Sequence, residues 1–189
     1  FRRVLFRSTN GAYICGRHDL VELCAERLNV PGQGKEVGPS GSANRMFLLG
    51  LYMAPQVVLN SLKTAILLSY VMESIGFEVS PRYNEKRVDI VENIIFNNPD
   101  KLIDFCKQVQ ISSAIDSHVE PIPSDMPGYA DKVIMASGSF IQGSSIELSC
   151  DGPLRSPYIA YFQGSLSYDY GKIAIINVLK HFVEGDDNE

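Results

Sequence analysis

A long apolar pattern gives way at one glycine to a series of short β-like runs, and this change of period constrains the fold more than any other feature. From Asn44 to Gly76 the apolar positions include Met46, Phe47, Leu48, Leu51, Val57, Val58, Leu62, Ile66, Leu67, Tyr70 and Val71, a spacing that suits helical turns. Pro55 interrupts it, and a proline inside a helix removes a backbone hydrogen bond. Two helices or one bent helix are therefore expected, stopped by Gly76. Residues 77–80, closed by Pro81, and residues 90–96 then read as strands. Asn98 followed by Pro99 is the pattern of an N-cap and a first helical residue, opening a helix that carries Leu102, Ile103, Phe105, Cys106 and Val109. A loop with Pro121, Pro123 and Pro127 precedes three more strands at 132–136, 146–150 and 158–162, and Ser167 caps a last helix through Phe182. Strands gathered late in the chain, with helices to cover one face, indicate an α+β layer rather than a doubly wound sheet.

Upstream of Asn44 the signals are shorter. Residues 12–15 read as a strand, and residues 17–28 as an amphipathic helix with Leu20, Leu23, Cys24 and Leu28 on one side. Residues 30–42 are a loop on their glycine and proline content.

Charge and cysteine usage remove several classes of function. A net charge of -5 argues against nucleic acid, which selects for a basic face. Cys15, Cys24, Cys106 and Cys150 are widely spaced and form no Cys-x-x-Cys pair, so neither a zinc site nor a small disulfide framework is expected. Reduced, packed thiols in a cytoplasmic protein are. His18, His118 and His181 lack the short spacings that put two ligands on one metal, so no metal site is expected either. The apolar run within residues 1–8 is too short for a secretory core. Pro55, Gln56, Asn60, Lys63 and Glu73 break the pattern between Met46 and Ile75, where a membrane span would need about 20 consecutive apolar residues. A buried helix without a membrane is the expectation.

Several separated blocks carry a family resemblance. Gly11-Ala-Tyr-Ile-Cys-Gly-Arg-His-Asp-Leu-Val21, Pro31-Gly-Gln-Gly-Lys-Glu-Val-Gly38, Leu49-Gly-Leu-Tyr-Met-Ala-Pro55, Gly76-Phe-Glu-Val-Ser-Pro81, Asp125-Met-Pro-Gly-Tyr129 and the stretch from Ser137 to Gly164 recur in order. Together they resemble the carboxyl-terminal portion of the methionine gamma-lyase-like, or aluminium-resistance, family of pyridoxal-phosphate proteins of fold type I. The resemblance runs from about Gly11 to Leu179. It implies the end of a large α/β cofactor domain with a connecting long helix over 11–75, a small carboxyl-terminal domain over 76–183, and an acidic tail over 184–189. Residues 1–10 do not match.

The resemblance also implies pyridoxal 5'-phosphate as cofactor. Such catalysis needs a lysine to hold the cofactor, an acid near its pyridine nitrogen and phosphate donors, and often uses an arginine for the substrate carboxylate. In the family the lysine lies just upstream of the segment matched by Ser8 to Tyr13, where this chain has Phe1-Arg-Arg-Val-Leu-Phe-Arg7. The chain is therefore expected to be a back portion that is inactive alone, with no catalytic residue of its own. Lys35, flanked by Gly34, and Lys63, within the long helix, read as exposed or solvated lysines more readily than as substitutes.

Arg155 is the leading candidate for substrate binding, because a guanidinium presents paired donors that fit a carboxylate. Pro153 and Pro157 restrict the backbone around it. A structural ion pair is the other reading. By resemblance, Ser137 and Ser139 fall at a substrate-facing strand end; as plain sequence they suit a turn or cap. Tyr13, Tyr52 and Tyr161 could stack near a cofactor or simply pack in the core.

The resemblance thus implies a carbon–sulfur lyase of the methionine gamma-lyase or cystathionine beta-lyase type. It would act on a small sulfur-containing amino acid as a homodimer or homotetramer in the cytoplasm. The rival reading is a non-catalytic folded fragment or interaction module built from such an enzyme's small domain.

Overall fold

A computed structural model describes residues 14–28, 32, 44–137 and 147–184. The chain divides into two compact units, Phe1–Gln56 and Val57–Glu189, and the second α-helix runs through the division.

In the first unit, α1 spans His18–Leu28 and buries none of its residues. Leu20, Leu23 and Leu28 on its apolar side are all exposed. Its start is held by Arg17, whose Nε donates to Asp19 Oδ1 at 2.8 Å. Ile14 and Cys15 are not in a strand, unlike the expectation for 12–15; Ala12 and Tyr13 lie outside the described residues. The expected loop at 30–42 lies outside them too, apart from Gly32.

The helix α2 spans Asn44–Ser74 with Pro55 inside it. The sequence allowed two helices or one bent one, and the outcome is a single element. By length and composition Arg45–Ser74 is long and apolar enough to cross a membrane, with a mean hydropathy of 1.2 in its most apolar window. The expectation of a buried helix holds only beyond Pro55. Met46, Leu48, Leu51 and Tyr52 are exposed, Tyr52 to 85%. From Val57 onward, Val57, Ser61, Thr64, Ala65, Leu68 and Met72 recur every three or four residues and are buried, the stripe of a core helix.

The second unit is built on a five-stranded sheet of order β1-β2-β5-β4-β3. The strands are β1 Glu78–Ser80, β2 Glu92–Ile95, β3 Val133–Ser137, β4 Ser149–Pro153 and β5 Ile159–Gln163, with α3 Pro99–Ile111 and α4 Tyr168–Glu184 between and after them. Every neighbouring pair is antiparallel. Asn98 caps α3 as its sequence indicates, its Oδ1 accepting from the N–H groups of Asp100 and Lys101, and Pro99 sits where no backbone donor is needed.

The α+β expectation is met: one sheet face is covered by helices. Ile94, Phe96, Ile134, Ala136, Cys150, Ala160 and Phe162 pack with Leu102, Phe105 and Val109 of α3, Leu68 and Met72 of α2, and Ala174, Ile175 and Val178 of α4. Phe96 anchors the aromatic part of this core, with ring centroids 5.0 Å from Phe77, 5.3 Å from Phe105 and 5.9 Å from Phe182.

The strand expected at 146–150 begins later, at Ser149, and runs on through Asp151-Gly152-Pro153. That tripeptide has turn composition, yet a Cβ on Gly152 would stand 2.5 Å from the Ile159 carbonyl oxygen and 2.8 Å from Leu102 Cδ1. Glycine is there because two backbones and a helix side chain converge on it.

A similar close approach joins α2 to α4. A Cβ on Gly171 would meet Thr64 Oγ1 at 2.5 Å, and Asn60 Nδ2 donates to the Leu166 carbonyl at 2.9 Å.

Candidate functional site

Arg155 lies in the tight connection from β4 to β5, and its backbone is pinned on both sides. Leu154 N–H donates to the Lys132 carbonyl at 2.8 Å, Arg155 N–H to that of Pro153 at 2.8 Å, and Tyr158 N–H to that of Arg155 at 2.7 Å. The turn is tied to the end of β2 as well, because Asn97 N–H donates to the Pro157 carbonyl at 2.9 Å and Phe96 N–H to that of Tyr158 at 3.1 Å. Ser156-Pro157 is cis and Tyr158 takes φ 59°. The Arg155 side chain is exposed, and no carboxylate among the described residues forms an ion pair with it.

The register of the sheet separates this arginine from the other candidates. Val133 faces Pro153 and Ser137 faces Ser149 across the β3–β4 pair. Arg155 follows Pro153, so it stands at the opposite end of the pair from Ser137. The four residue steps between those ends amount to about 13 Å of strand. Ser137 is half-buried, and its N–H donates to Gln110 Oε1 at 2.8 Å. Ser139, Tyr13 and Lys35 lie outside the described residues. Tyr52 is exposed.

Tyr161 is on the sheet face away from the helices, in a row that crosses all five strands: Ser80, Asn93, Tyr161, Asp151 and Met135 are successive register partners. Asp151 is half-buried there, and burial raises its acid above the ordinary carboxylate range. Ser149 on the same strand is 8% exposed, and its Oγ has no hydrogen-bond partner among the described residues. The row escapes a reading of single strands, since it exists only once the register aligns them.

The most heavily buried ion pair among the described residues was also not anticipated. Arg87 Nη2 donates to Glu92 and to the Pro81 carbonyl, the latter at 3.1 Å, and Nη1 donates to the Val91 carbonyl at 3.4 Å. Burial raises the Glu92 acid to about 7, against the opposing pull of Arg87. This pair closes the β1–β2 connection onto the sheet.

Among the described residues, no three or more His, Cys, Asp or Glu side chains gather as a metal site. Lys63, Lys86, Lys101, Lys107, Lys132, Lys172 and Lys180 are all exposed or half-exposed, whereas a lysine that holds a carbonyl cofactor needs a desolvated setting. Lys63 Nζ lies 5.7 Å from the Tyr168 ring centre, and Lys107 ion-pairs with Glu120 at 2.7 Å. A surface cleft of about 330 Å³ is lined by Ile75, Gly76, Phe77, Lys101, Phe182 and Val183 and contains none of the candidates.

Residues 7–183 match the family described as Methionine gamma-lyase. A carbon-sulfur lyase involved in aluminium resistance from Clostridium novyi NT is 51% identical with a TM-score of 0.80, over 88% of this chain and 38% of that one. A candidate cystathionine beta-lyase involved in aluminium resistance from Listeria monocytogenes is 39% identical with a TM-score of 0.82, over 89% of this chain and 42% of that one. An uncharacterised 33.9 kDa protein of Lactobacillus delbrueckii subsp. bulgaricus is 48% identical over 90% of this chain and 56% of its own length. The chain thus spans 56% of the length of the Lactobacillus protein and about two-fifths of each of the two solved structures.

Proposed function

This chain belongs to the methionine gamma-lyase family, and we propose that it is the carboxyl-terminal portion of a pyridoxal-phosphate-dependent lyase that cleaves a carbon–sulfur bond in a sulfur-containing amino acid. The observation that carries the reading is the 51% identity to a protein described as a carbon-sulfur lyase, over 88% of the chain. The cofactor's lysine, acid and phosphate contacts belong to parts of the protein outside the described residues.

Within this portion, Arg155 is the residue we assign to the substrate carboxylate. Its backbone is held by the Pro153 carbonyl and the Tyr158 N–H and its guanidinium has no ion-pair partner among the described residues, so its donors are available. A planar fork on a fixed turn suits a carboxylate better than a mobile ammonium does. Ser137, at the far end of the strand pair, is a candidate for a different part of the substrate.

The parent is proposed to be a homodimer or homotetramer in the cytoplasm. Exposed Met46, Leu48, Leu51 and Tyr52 on one helix support an interface, since apolar patches of that kind usually mark contacts. Free thiols at all four cysteines suit a reducing compartment. The full-length protein, incubated with pyridoxal phosphate and either cystathionine or methionine, should consume one water and release a thiol, a keto acid and ammonia. Absence of these products from every thioether amino acid tried, in a preparation with bound cofactor, would overturn the reading.

A further inference from the structure

Cys106 of α3 and Cys150 of β4 point their sulfurs at each other across the core, 3.6 Å apart and 44 residues apart in sequence. Both are buried, at 0% and 1% exposure. Two residues on from Cys150, Gly152 also lies against α3, where an added Cβ would meet Leu102 Cδ1 at 2.8 Å. Helix and strand therefore meet where a short covalent link could join them.

We propose that Cys106 and Cys150 form a redox staple, reduced at rest and joined as an intramolecular disulfide when the protein meets a peroxide. A disulfide holds its sulfurs about 2 Å apart, so the pair starts within about 1.6 Å of bonding distance. One thiolate attacks a peroxide oxygen; the O–O bond breaks, and the departing oxygen leaves as water after taking a proton. That sulfur becomes a sulfenic acid, which the second thiol attacks, forming the S–S bond, breaking the S–O bond and releasing a second water. Two thiols and one peroxide give one disulfide and two waters, with two electrons passing from sulfur to peroxide.

Burial governs the rate. It raises the Cys150 thiol well above its ordinary range, which keeps it protonated and unreactive while the core is closed. Oxidation then follows local opening of α3 from the sheet, whereas exposed Cys15 and Cys24 react directly. The staple records sustained oxidative exposure and fixes α3 against β4 once formed. This inference does not rest on the lyase reading.

The test uses the full-length protein treated with hydrogen peroxide. Free thiols are alkylated under denaturing conditions, and the digest is mapped by mass spectrometry. The expected result is a Cys106–Cys150 linked peptide, two hydrogens lighter than the sum of its parts and split by dithiothreitol. The oxidised protein should also melt at a higher temperature than the reduced one, a difference lost in Cys106→Ser. The peptide map is made on the unaltered protein, so it stands even if that variant does not fold. The proposal is overturned if both cysteines remain fully alkylatable after Cys15 and Cys24 are oxidised. It is equally overturned if they go to sulfinic acid, or link only to other cysteines.

Discussion

Arg87 and Glu92 form an ion pair with side-chain exposures of only 5% and 0%, and each keeps one buried polar atom, Arg87 Nε and Glu92 Oε1, without a hydrogen-bond partner among the described residues. A buried pair of this kind contributes more to holding the β1–β2 connection than to net stability, because desolvation offsets most of the attraction.

The pair sets a pH dependence whose sign follows from Glu92. Its acid lies at about 7 in the folded protein against 4.5 for the free side chain. The folded state therefore binds the proton more tightly than the unfolded one. The resulting stability is fully present below pH 4.5 and is lost as pH rises through about 7. The full span corresponds to about 3 kcal/mol. The charged and polar groups that act on Glu92 are Arg87, Ser69 and Glu85. Asp151 and Glu147 are also raised by burial and push the same way, so the contrast with Glu92→Gln isolates this carboxyl. Urea denaturation at pH 5 and pH 8 should show a larger loss in the unaltered protein than in Glu92→Gln. Equal losses in the two would remove Glu92 as the cause.

Much of this fold was legible because its signals are local. Asn98-Pro99 marks the start of α3, and Gly76 together with Pro81 brackets β1. Glu92 was legible in principle, since alternation along 90–96 puts it on the same face as Ile94 and Phe96, both buried. What the strand alone could not supply was Arg87, five residues earlier in an irregular connection, that makes a charge tolerable on that face. β4 was displaced because Asp151-Gly152-Pro153 has the composition of a turn, and only the approach of the Ile159 carbonyl and Leu102 explains the glycine. The separation of Arg155 from Ser137 depends on strand register, which no single segment encodes.

The two kinds of glycine should respond differently to alanine. At Gly152 the nearest obstacle is a backbone oxygen at 2.5 Å, which cannot swing aside, so Gly152→Ala should cost about 3 kcal/mol through overpacking. Gly76 has φ +94° and open space around it, so Gly76→Ala should cost about 1 kcal/mol from backbone strain alone. Urea midpoints for the two variants rank them. A Gly152→Ala protein as stable as Gly76→Ala would contradict the packing of β4 against α3 and β5.

The exposure of the described lysines bears on how this chain meets the cofactor. Mixed with pyridoxal phosphate and reduced with borohydride, the chain of 189 residues should carry adducts scattered at low occupancy over exposed lysines such as Lys101, Lys132 and Lys180. Peptide mapping reads the distribution directly. A single stoichiometric adduct at Lys35 would instead assign the cofactor lysine to that glycine-flanked position.

Arg155 gives the sharpest separation between a binding role and a structural one. In the full-length protein, Arg155→Lys keeps the charge but loses the planar fork that donates to a carboxylate at two points. Losing one charge-assisted hydrogen bond should cost about 1.5–3 kcal/mol, or roughly ten- to a hundredfold in substrate affinity. The melting temperature should stay put, because the side chain is exposed and the turn is held by backbone groups of Leu154, Arg155 and Tyr158 that the substitution leaves in place. Spectral titration of the bound cofactor with amino acid reports the affinity, and thermal melting of the same sample reports the fold. A structural ion pair predicts the reverse order, a lower melting temperature with substrate affinity unchanged, and that result would remove Arg155 from the substrate site.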